Sequence, residues 1–582
     1  MANIFNKYFA SIGESLAQNL PASQSNYRDF LWKSRPPDTT FLFNPVNPTE
    51  VQSEILSLPN NKAYGLYSCP IRLLKCASTV ISNFLAEMYN FSITAGRYPS
   101  KLKMAMIIPI FKDNDKSEVN NYRPISLLSV FNKLFEKIMY NRMKQFIEQE
   151  DILFSSQYGF RESYSTEHAI HDIVDKIQTN MDKKLFSCGI FIDLKKAFDT
   201  VDHDILLQKL NYYGFRGITN DWFASYLKRR TQTTQIEGKI SDKSNVSCGV
   251  PQGSVLGPLL FLLYINDIHT CSEKLSFYIF ADDTNLLYSD KNLKTLEFVI
   301  NTELKKVHQW LVSNKLSLNT KKTNFIIFHP YQKKLTYQPN IFIHDNDLKK
   351  DVALECKDYV KYLGILIDKN ISWKKHIDTV TAKISKIVGI ISKIRHFVPF
   401  HTVLTIYQSL ILPHLKYGLT IWGQANKTYL NKILLLQKRV LRLMFFADRR
   451  DHAIPFFITA NILPLSFLYH HSLAVLMHDV NAQKVPPNIS KLFQYTCDVH
   501  TYNTRSSSSK KFFMNSVNLE LRKKSLAIYG SKLWNEIPDP LKKLPKPVFK
   551  RTLTEKLLNI LREEDTYIES PIIIEKLKLA SV

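Results

Sequence analysis

Two adjacent carboxylates, Asp282 and Asp283, stand between two apolar stretches and constrain the fold more than any other feature of the sequence. The flanking stretches, residues 275–279 and 286–288, have the composition of short strands, so the segment predicts a β-hairpin with both acids at its tip. Like charges repel, and a tip that keeps both acids needs a compensating positive charge, for which Mg²⁺ prefers suitable oxygen ligands. The sequence Asp-Asp-Thr-Asn is also ordinary turn chemistry, so other segments have to decide between a site and a simple turn.

The order of predicted elements indicates a mixed α+β body followed by a helical C-terminal part. Strands are predicted at residues 106–111, 185–192, 232–240, 244–250, 325–328 and 359–368. Helices are predicted at residues 47–98, 127–146, 206–226, 256–267 and 293–311, and nearly all of the chain beyond residue 374 has helical apolar spacing. The predicted fold class is therefore α+β.

The charge balance indicates the kind of partner. The 582-residue chain carries 77 Lys and Arg against 52 Asp and Glu, a net charge of +25. Such an excess is typical of proteins that bind nucleic acid, although a basic protein without such a partner is the alternative. No apolar run reaches the length of a transmembrane helix, no signal-peptide pattern is present, and the seven cysteines form no Cys-x-x-Cys pair. We expect no membrane association and an intracellular location, in the nucleus, the cytoplasm or both.

A second acid ends the buried apolar run of residues 185–192. Asp193 alone reads as an ordinary strand-end residue, but together with a distant acidic hairpin it becomes more specific. Carboxylates from separate strands can hold two Mg²⁺ about 3.5–4 Å apart, the arrangement that clamps the attacking and leaving oxygens in phosphoryl transfer. A third element, residues 249–258, is rich in glycine, which lets the backbone approach a ligand closely; its alternative interpretation is a tight strand-to-helix turn.

In this order, the strand ending at Asp193, the Pro251-Gln252-Gly253 turn and the Ala281-Asp282-Asp283 hairpin resemble reverse transcriptases, most closely those of jockey-like non-LTR retrotransposons. Further segments that carry the likeness are Asn121-Tyr122-Arg123-Pro124-Ile125-Ser126, Gln157-Tyr158-Gly159-Phe160-Arg161, Ala197-Phe198-Asp199-Thr200-Val201-Asp202-His203 and Tyr362-Leu363-Gly364. The resemblance covers roughly residues 104–370. It implies a right-hand polymerase fold of fingers, palm and thumb, with an α-helical C-terminal extension.

The resemblance also implies how the chain is divided. Residues 1–92 are expected to form a mostly helical N-terminal region, 93–370 the fingers and palm, 371–480 a helical thumb-like region, and 481–582 a basic C-terminal extension. Autonomous members of this branch carry an N-terminal endonuclease, which this sequence lacks, and its first residues resemble the linker that follows that domain. We therefore expect a 5′-truncated element, with the N-terminal region as a remnant of the endonuclease–polymerase linker.

The activity implied by the resemblance is that of an RNA-directed DNA polymerase, a nucleotidyltransferase that adds dNTPs to a primer 3′-hydroxyl by two-metal-ion phosphoryl transfer. Asp193, Asp282 and Asp283 are the implied catalytic residues. With the Leu194 carbonyl they are also the implied ligands of two Mg²⁺, with Mn²⁺ as an alternative metal. Asp282 is the expected direct ligand and Asp283 the supporting charge, and no further small-molecule cofactor is expected.

Other residues are implied to bind the substrates. Lys112 and Arg123 would contact the triphosphate, because a lysine supplies a point charge and a guanidinium matches phosphate oxygens. Phe198 would exclude a 2′-hydroxyl, with an ordinary core position as the alternative, and Gln252 would lie against the nucleotide or template. An RNA template and a DNA primer or target would be contacted by Arg161, Gly253, Tyr362, Leu363 and Gly364. Lys321 or Lys322 would protonate the leaving pyrophosphate or be simply solvated.

Two other functions are compatible with parts of this pattern. A non-catalytic remnant would bind nucleic acid without turnover, although the intact acids, aromatic gate and Pro-Gln-Gly turn disfavour it. An RNA-dependent RNA polymerase would share the acidic strands, but the aromatic side chain at Phe198 favours dNTPs over NTPs. Primer extension on RNA and competition between dNTPs and NTPs distinguish these three functions.

Overall fold

A computed structural model describes residues 1–23, 25–60, 69–112, 115–499 and 511–564, together with residues 573, 576 and 577. The described residues form a mixed α and β structure with two five-stranded sheets, two separate hairpins and many helices. This agrees with the α+β class predicted from the pattern of apolar residues. Among the described residues, no helix is both long enough and apolar enough to cross a membrane.

The first sheet contains a parallel pair of strands inside an otherwise antiparallel arrangement. Its spatial order is β2 (Tyr122–Leu127), β1 (Met104–Phe111), β4 (Arg230–Ile236) and β5 (Lys239–Ile240), with β6 (Ser244–Val246) paired to β4. The pairing of β4 with β6 confirms the strands predicted for this segment, whereas β2 was not predicted and takes Leu127 from the start of a predicted helix. Pro124 obscured this strand in the sequence, and β2 tolerates a proline because it is an edge strand.

The second sheet has β3 at its centre. Its spatial order is β12 (Glu355–Cys356), β9 (Asn324–Phe328), β3 (Phe186–Ile192), β8 (Asp283–Asp290) and β7 (Ser276–Phe280). All seven residues of β3 are buried, as the continuous apolar run predicts. The β7–β8 hairpin is also confirmed, with Phe280 opposite Asp283. The two remaining hairpins are β10 (Phe342–Asp345) with β11 (Lys350–Ala353), and β13 (Tyr359–Tyr362) with β14 (Ile365–Asp368).

The helices fall into three groups along the chain. Before the first strand are α1 (Ala2–Gln18), α2 (Tyr27–Leu31), α3 (Pro48–Ser57), α4 (Ile71–Cys76) and α5 (Ser78–Thr94). Among the strands are α6 (Val130–Gln149), α7 (Thr166–Asp182), α8 (His203–Tyr212), α9 (Ile218–Leu227), α10 (Leu256–Ile265) and α11 (Leu293–Ser313). Single 3₁₀ turns occupy Ser100–Lys103, Val119–Asn121 and Asn266–Cys271.

The C-terminal part is helical, as its apolar spacing predicts. Its helices are α12 (Lys374–Ile394), α13 (Phe400–Ile406), α14 (Leu412–Lys416), α15 (Leu419–Trp422), α16 (Lys427–Met444), α17 (Ile454–Thr459), α18 (Leu465–Asn481), α19 (Pro487–Ser490), α20 (Thr496–Val499), α21 (Glu520–Lys523), α22 (Ser531–Glu536), α23 (Asp539–Lys542) and α24 (Lys546–Glu564). Short π-helical turns occupy Tyr407–Ile411 and Leu526–Gly530.

The second sheet separates two hydrophobic cores. Successive strand residues point to opposite faces, so Phe191 joins the core that contains α7 and the C-terminal helices, while Ile190 and Ile192 join the other core. The second core contains α10, whose Leu256–Ile265 run is almost uniformly apolar and buried. Each face is therefore covered, and β3 is held firmly between β8 and β9.

Helix α1 packs against the first sheet through Phe5 and Phe9, which share a small core with Ala105 and Ile107. Gly13 allows the closest approach in this contact. A Cβ atom at Gly13 would lie 2.0 Å from the Asp199 carbonyl oxygen and 2.6 Å from the Cys248 Sγ atom. A side chain there requires the helix to move away from the segment that follows β3.

Gly13→Ala is expected to lower the free energy of unfolding by about 1–3 kcal/mol, because the new methyl group overfills a backbone contact. Gly389→Ala is the matched control, since no atom lies within 4 Å of the added Cβ on exposed helix α12. That control should gain roughly 0.5–1 kcal/mol from reduced backbone entropy in the unfolded chain. Denaturant unfolding of both variants checks the expectation, and equal effects would contradict it.

Candidate active site

A cavity of about 730 Å³ is lined by residues of α1, by the β1–β2 hairpin, by the segment after β3 and by the β7–β8 turn. Seven residues predicted from the sequence line it: Lys112, Arg123, Asp193, Leu194, Phe198, Gln252 and Asp282. Lys321 and Lys322 line it as well. The remaining predicted residues, Asp283, Arg161, Gly253, Tyr362, Leu363 and Gly364, do not line this cavity.

Asp193 stands at the exit of β3, where the loop after α11 holds it. The Asn319 Nδ2 atom donates a 2.7 Å hydrogen bond to the Asp193 carboxylate, and the Asn319 backbone N–H donates to the Asp193 carbonyl at 2.8 Å. Leu194 then forms an isolated antiparallel bridge with Leu318. The carboxylate is therefore oriented by an amide that the sequence motifs did not indicate.

The β7–β8 turn consists of Ala281 and Asp282. Ala281 has φ = +57°, the left-handed conformation that a two-residue hairpin turn requires. Asp282 and Asp283 are exposed at the tip of the hairpin, although the surrounding protein still displaces part of the water around their carboxylates. The β3–β8 register pairs Ile192 with Thr284, so Asp193 emerges from the sheet next to Asp283.

These carboxylates influence one another electrostatically. Desolvation by the surrounding protein is the main cause that raises the pKa of Asp282, and the negative charge of Asp193 raises it further. The same desolvation, followed by the charges of Asp282 and Asp193, raises the pKa of Asp283 to about 6. The charge of Asp193 thus opposes ionisation of Asp282, and the charges of Asp282 and Asp193 oppose ionisation of Asp283, so a bound cation would stabilise the charged forms of these two acids.

The donor chemistry of this acidic group fits Mg²⁺, which prefers carboxylate and phosphate oxygens. Within the described ranges, no group of three or more His, Cys, Asp or Glu side chains is arranged to enclose a metal ion by itself. Mg²⁺ is commonly bound by one or two carboxylates together with substrate phosphates, so a closed protein cage is not required. Asp193 and Asp282 are the residues that would hold the ion from the cavity side.

Positive charge gathers where the β1–β2 hairpin lines the cavity. Lys112 and Arg123 lie at the end of the β1–β2 hairpin, and both side chains are exposed. Lys196 lies beside them, and its Nζ atom donates to the Asn120 and Tyr122 carbonyls at 3.1 and 3.3 Å. Burial lowers the pKa of Lys196, and the positive charges of Lys112 and Arg123 lower it further. The negative charge of Asp199 opposes this shift but does not reverse it. The basic cluster of Lys112, Arg123 and Lys196 can attract a polyphosphate. Lys196 was not among the residues predicted from the sequence.

The Phe198 side chain combines both roles that the sequence left open. One face stacks on Phe261 with ring centroids 4.5 Å apart, and its edge contacts Phe160 at 6.3 Å. The residue also lines the cavity. Phe198 is therefore held in place by core packing at a position that lines the cavity.

Gln252 is anchored by a carboxylate. Its Nε2 atom donates a 2.8 Å hydrogen bond to Asp199, and its carbonyl accepts from the Ser126 N–H at 2.7 Å. Desolvation raises the pKa of Asp199 to about 6, although the Gln252 hydrogen bond and nearby Lys196 oppose this. The neighbouring Gly253 has φ = +121°, and a Cβ there would lie 2.7 Å from the Ser126 carbonyl oxygen. The Pro-Gln-Gly turn therefore packs tightly on β2.

The residues predicted to bind template or primer lie elsewhere. The Arg161 Nη1 atom donates to the Phe154 and Gln157 carbonyls at 3.2 and 3.3 Å, so this guanidinium supports a loop. Leu363 and Gly364 form the β13–β14 turn with positive φ angles, and the Tyr417 hydroxyl donates to the Leu363 carbonyl. Tyr362, the last residue of β13, is buried. The substrate roles of Tyr362, Leu363 and Gly364 stay predictions.

A second cavity, of about 670 Å³, lies between α11 and β10. Its acid, Asp351, accepts a 2.9 Å contact from His344, and the neighbouring His308 pairs with Asn346. Unlike the first cavity, its lining does not combine acids from separate strands with a basic cluster. The first cavity is therefore the candidate active site.

Comparisons with known proteins place the cavity residues within a family match. Residues 111–367 match the family model described as "Reverse transcriptase (RNA-dependent DNA polymerase)". This segment, which contains the acids and the basic cluster of Lys112, Arg123 and Lys196, is similar to the reverse transcriptase family.

The relatives come from non-LTR retrotransposons. The chain is 30% identical over 415 residues to the "Probable RNA-directed DNA polymerase from transposon X-element" of Drosophila melanogaster, covering 69% of this chain and 44% of that protein. It is 29% identical over 409 residues to the "RNA-directed DNA polymerase from mobile element jockey" of the same species, covering 68% of this chain and 43% of that protein. The chain therefore spans less than half the length of the curated relatives it matches.

The raised pKa of Asp199 predicts a measurable pH dependence of stability. Between the ordinary value of 3.8 and about 6, the folded state binds more protons than the unfolded state, so its free energy of unfolding falls as pH rises. Asp199→Asn removes this contribution and should gain up to about 3 kcal/mol relative to the wild type between pH 4 and pH 7. Denaturant midpoints measured across this range check it. Asp221→Asn on exposed α9 is the control, and a similar gain there would contradict the assignment.

Proposed function

We propose that the chain is an RNA-directed DNA polymerase that adds dNTPs to the 3′-hydroxyl of a primer. The observation that carries the proposal is the single cavity lined by the acids Asp193 and Asp282 together with the bases Lys112 and Arg123. Acids and bases around one cavity suit a nucleoside triphosphate with its metal ions. The activity named for the two Drosophila relatives supports the same proposal.

We infer a right-hand arrangement of fingers, palm and thumb. In this interpretation the second sheet is the palm, the first sheet belongs to the fingers, and residues 371–480 form the thumb. Residues 1–92 and 481–582 are then the N-terminal region and the basic C-terminal extension. The acids on the second sheet and the bases on the first support the assignment of palm and fingers.

In the proposed reaction the primer 3′-hydroxyl attacks the α-phosphate of a dNTP, and pyrophosphate leaves. Two Mg²⁺, or Mn²⁺, when bound would activate the hydroxyl and stabilise charge on the phosphates. Asp282 and Asp193 would hold the ions, with Asn319 orienting Asp193, Asp283 adding negative charge and the Leu194 carbonyl as a further ligand.

The basic wall and the aromatic gate would position the nucleotide. Lys112 and Arg123 would bind the triphosphate through charge-assisted hydrogen bonds, which are stronger than neutral ones. Phe198 would lie under the sugar and exclude a 2′-hydroxyl, because its ring is fixed by stacking on Phe261. Gln252 would meet the nucleotide from the turn that Asp199 anchors.

An RNA template and a DNA primer are the proposed partners. Exposed basic residues such as Arg439 and Arg449 on and after α16 would bind phosphates without reading sequence, so binding would weaken with added salt. Arg161, Gly253, Tyr362, Leu363 and Gly364 remain proposed template or primer contacts. An activity that uses RNA and dNTPs would operate inside the cell, in the nucleus or the cytoplasm.

Asp193→Ala is expected to lower primer extension on an RNA template by at least about 100-fold, because it removes a preorganised charge at the reacting phosphate. Asp221→Ala, on the exposed surface of α9, is the matched control and should retain wild-type activity. The assay measures Mg²⁺-dependent dNTP incorporation by purified protein. Wild-type protein that binds primed RNA without incorporation would indicate a non-catalytic nucleic-acid-binding protein instead.

Phe198→Ala is expected to raise incorporation of NTPs relative to dNTPs, since the smaller side chain leaves room for a 2′-hydroxyl. The variant also loses the contact with Phe261, so its overall activity will fall. The ratio of kcat/KM values for the two substrates within one variant cancels that general loss. Wild-type preference for NTPs would instead identify an RNA-dependent RNA polymerase.

A further inference from the structure

A short segment runs alongside the acidic hairpin and pairs with it. The Ile279 N–H donates to the Ser156 carbonyl at 2.9 Å, and the Tyr158 N–H donates to the Ile279 carbonyl at 2.8 Å. Gln157 therefore faces Ile279 in a parallel bridge on the outer side of β7. The pairing brings the Gln157 side chain next to the turn that carries Asp282.

The Gln157 carboxamide is buried and binds the turn directly. Its Oε1 atom accepts a 2.9 Å hydrogen bond from the Gly159 N–H and a 3.1 Å hydrogen bond from the Ala281 N–H. Both neighbours are donors, so only the oxygen of the carboxamide can satisfy them. The Nε2 atom has no hydrogen-bond partner among the described residues, so the turn uses this side chain as an acceptor.

Gly159 brings the segment against the turn. A Cβ atom at Gly159 would lie 2.5 Å from the Ala281 nitrogen, closer than any ordinary contact. Ala281 itself is in the left-handed conformation with φ = +57°, which costs an L-residue roughly 1–2 kcal/mol. Such a conformation persists only where its surroundings enforce it, and the hydrogen bond to Gln157 is one of those restraints.

The segment is in turn held from outside. The Tyr158 hydroxyl donates to Asp172 of α7 at 2.5 Å, and the Asn488 Nδ2 atom donates to the Ser156 hydroxyl at 2.8 Å. Arg161 donates to the Gln157 carbonyl at 3.3 Å. Gln157 is therefore a fixed support for the hairpin rather than a mobile side chain.

We propose that Gln157 is a positioning residue for the metal-binding turn: its carboxamide oxygen fixes the backbone at Ala281 and thereby directs the Asp282 carboxylate towards the metal. This inference rests on the proposed function, because it assumes that Asp282 binds a metal ion. Removing the acceptor leaves two buried N–H groups without a partner and releases the turn. Mutation of a group that orients a metal ligand typically lowers metal affinity about 10–100-fold.

The test compares Gln157→Met with two other variants. Gln157→Met keeps the length and volume of the side chain but removes the acceptor, whereas Gln157→Glu keeps an acceptor for both N–H groups. Gln437→Met is the matched control: Gln437 is also fully buried, and its Oε1 atom accepts a 2.9 Å hydrogen bond from the Leu465 N–H. That control removes the same kind of contact from the C-terminal helices.

Metal binding is measured by electron paramagnetic resonance during titration of each protein with Mn²⁺ alone. Asp282→Ala defines the portion that depends on the turn. Gln157→Met should weaken that portion about 10–100-fold. The Mn²⁺ affinity of Gln157→Glu should remain closer to that of the wild type. The Mn²⁺ affinity of Gln437→Met should equal that of the wild type, even if its melting temperature falls as much as that of Gln157→Met. The Mg²⁺ concentration for half-maximal primer extension should rise for Gln157→Met alone.

Three results would overturn the inference. They are wild-type Mn²⁺ affinity in Gln157→Met, equal losses of affinity in Gln157→Met and Gln437→Met, and an absence of Asp282-dependent Mn²⁺ binding in the wild type. Failure of the proposed function looks different, because the wild type would then bind Mn²⁺ through Asp282 without extending a primer. In that case the Mn²⁺ titrations still decide the role of Gln157.

Discussion

The antiparallel pairing of β3 with β8 is the constraint on which the candidate site depends. Its register opposes Ile192 and Thr284, and so delivers Asp193 and Asp283 to the same end of the sheet. A slip of one residue would turn every side chain of β3 to the other face, and the burial of all seven residues opposes such a slip. Hydrophobic packing on both faces therefore holds together acids that repel one another.

The cavity keeps opposite charges on separate parts of the fold. Its acids come from the second sheet and its exposed bases from the first, so the distance between them depends on how the sheets meet. Two glycines set that meeting, because Gly13 lets α1 contact the Asp199 carbonyl and Gly253 lets its turn contact β2. Close backbone packing at these two glycines therefore helps to set how near the acids lie to the bases.

Local patterns in the sequence predicted the elements whose signals are continuous along the chain. The buried run of β3, the acidic hairpin and the apolar α10 are of this kind, and they carry Asp193 and Asp282. Long-range pairing was not accessible, so the parallel contact of β1 with β4 was missed. The amide of Asn319 was missed for the same reason, since it meets Asp193 across 126 residues. Helix α7 did carry a signal in its amphipathic spacing and the Ser165 cap, and it was overlooked.

The contact between Asn488 and Ser156 joins segments 332 residues apart. The same C-terminal part reaches α7 again, where Arg522 pairs with Asp175 at 2.5 Å. A ribosome synthesises residues 156–182 long before these partners emerge, so the support of the acidic turn is completed last. During that interval the side of α7 that packs against the C-terminal helices has no partner, and exposed apolar surface of this kind favours aggregation. The acidic turn therefore gains this outer support only after residue 488 has been synthesised.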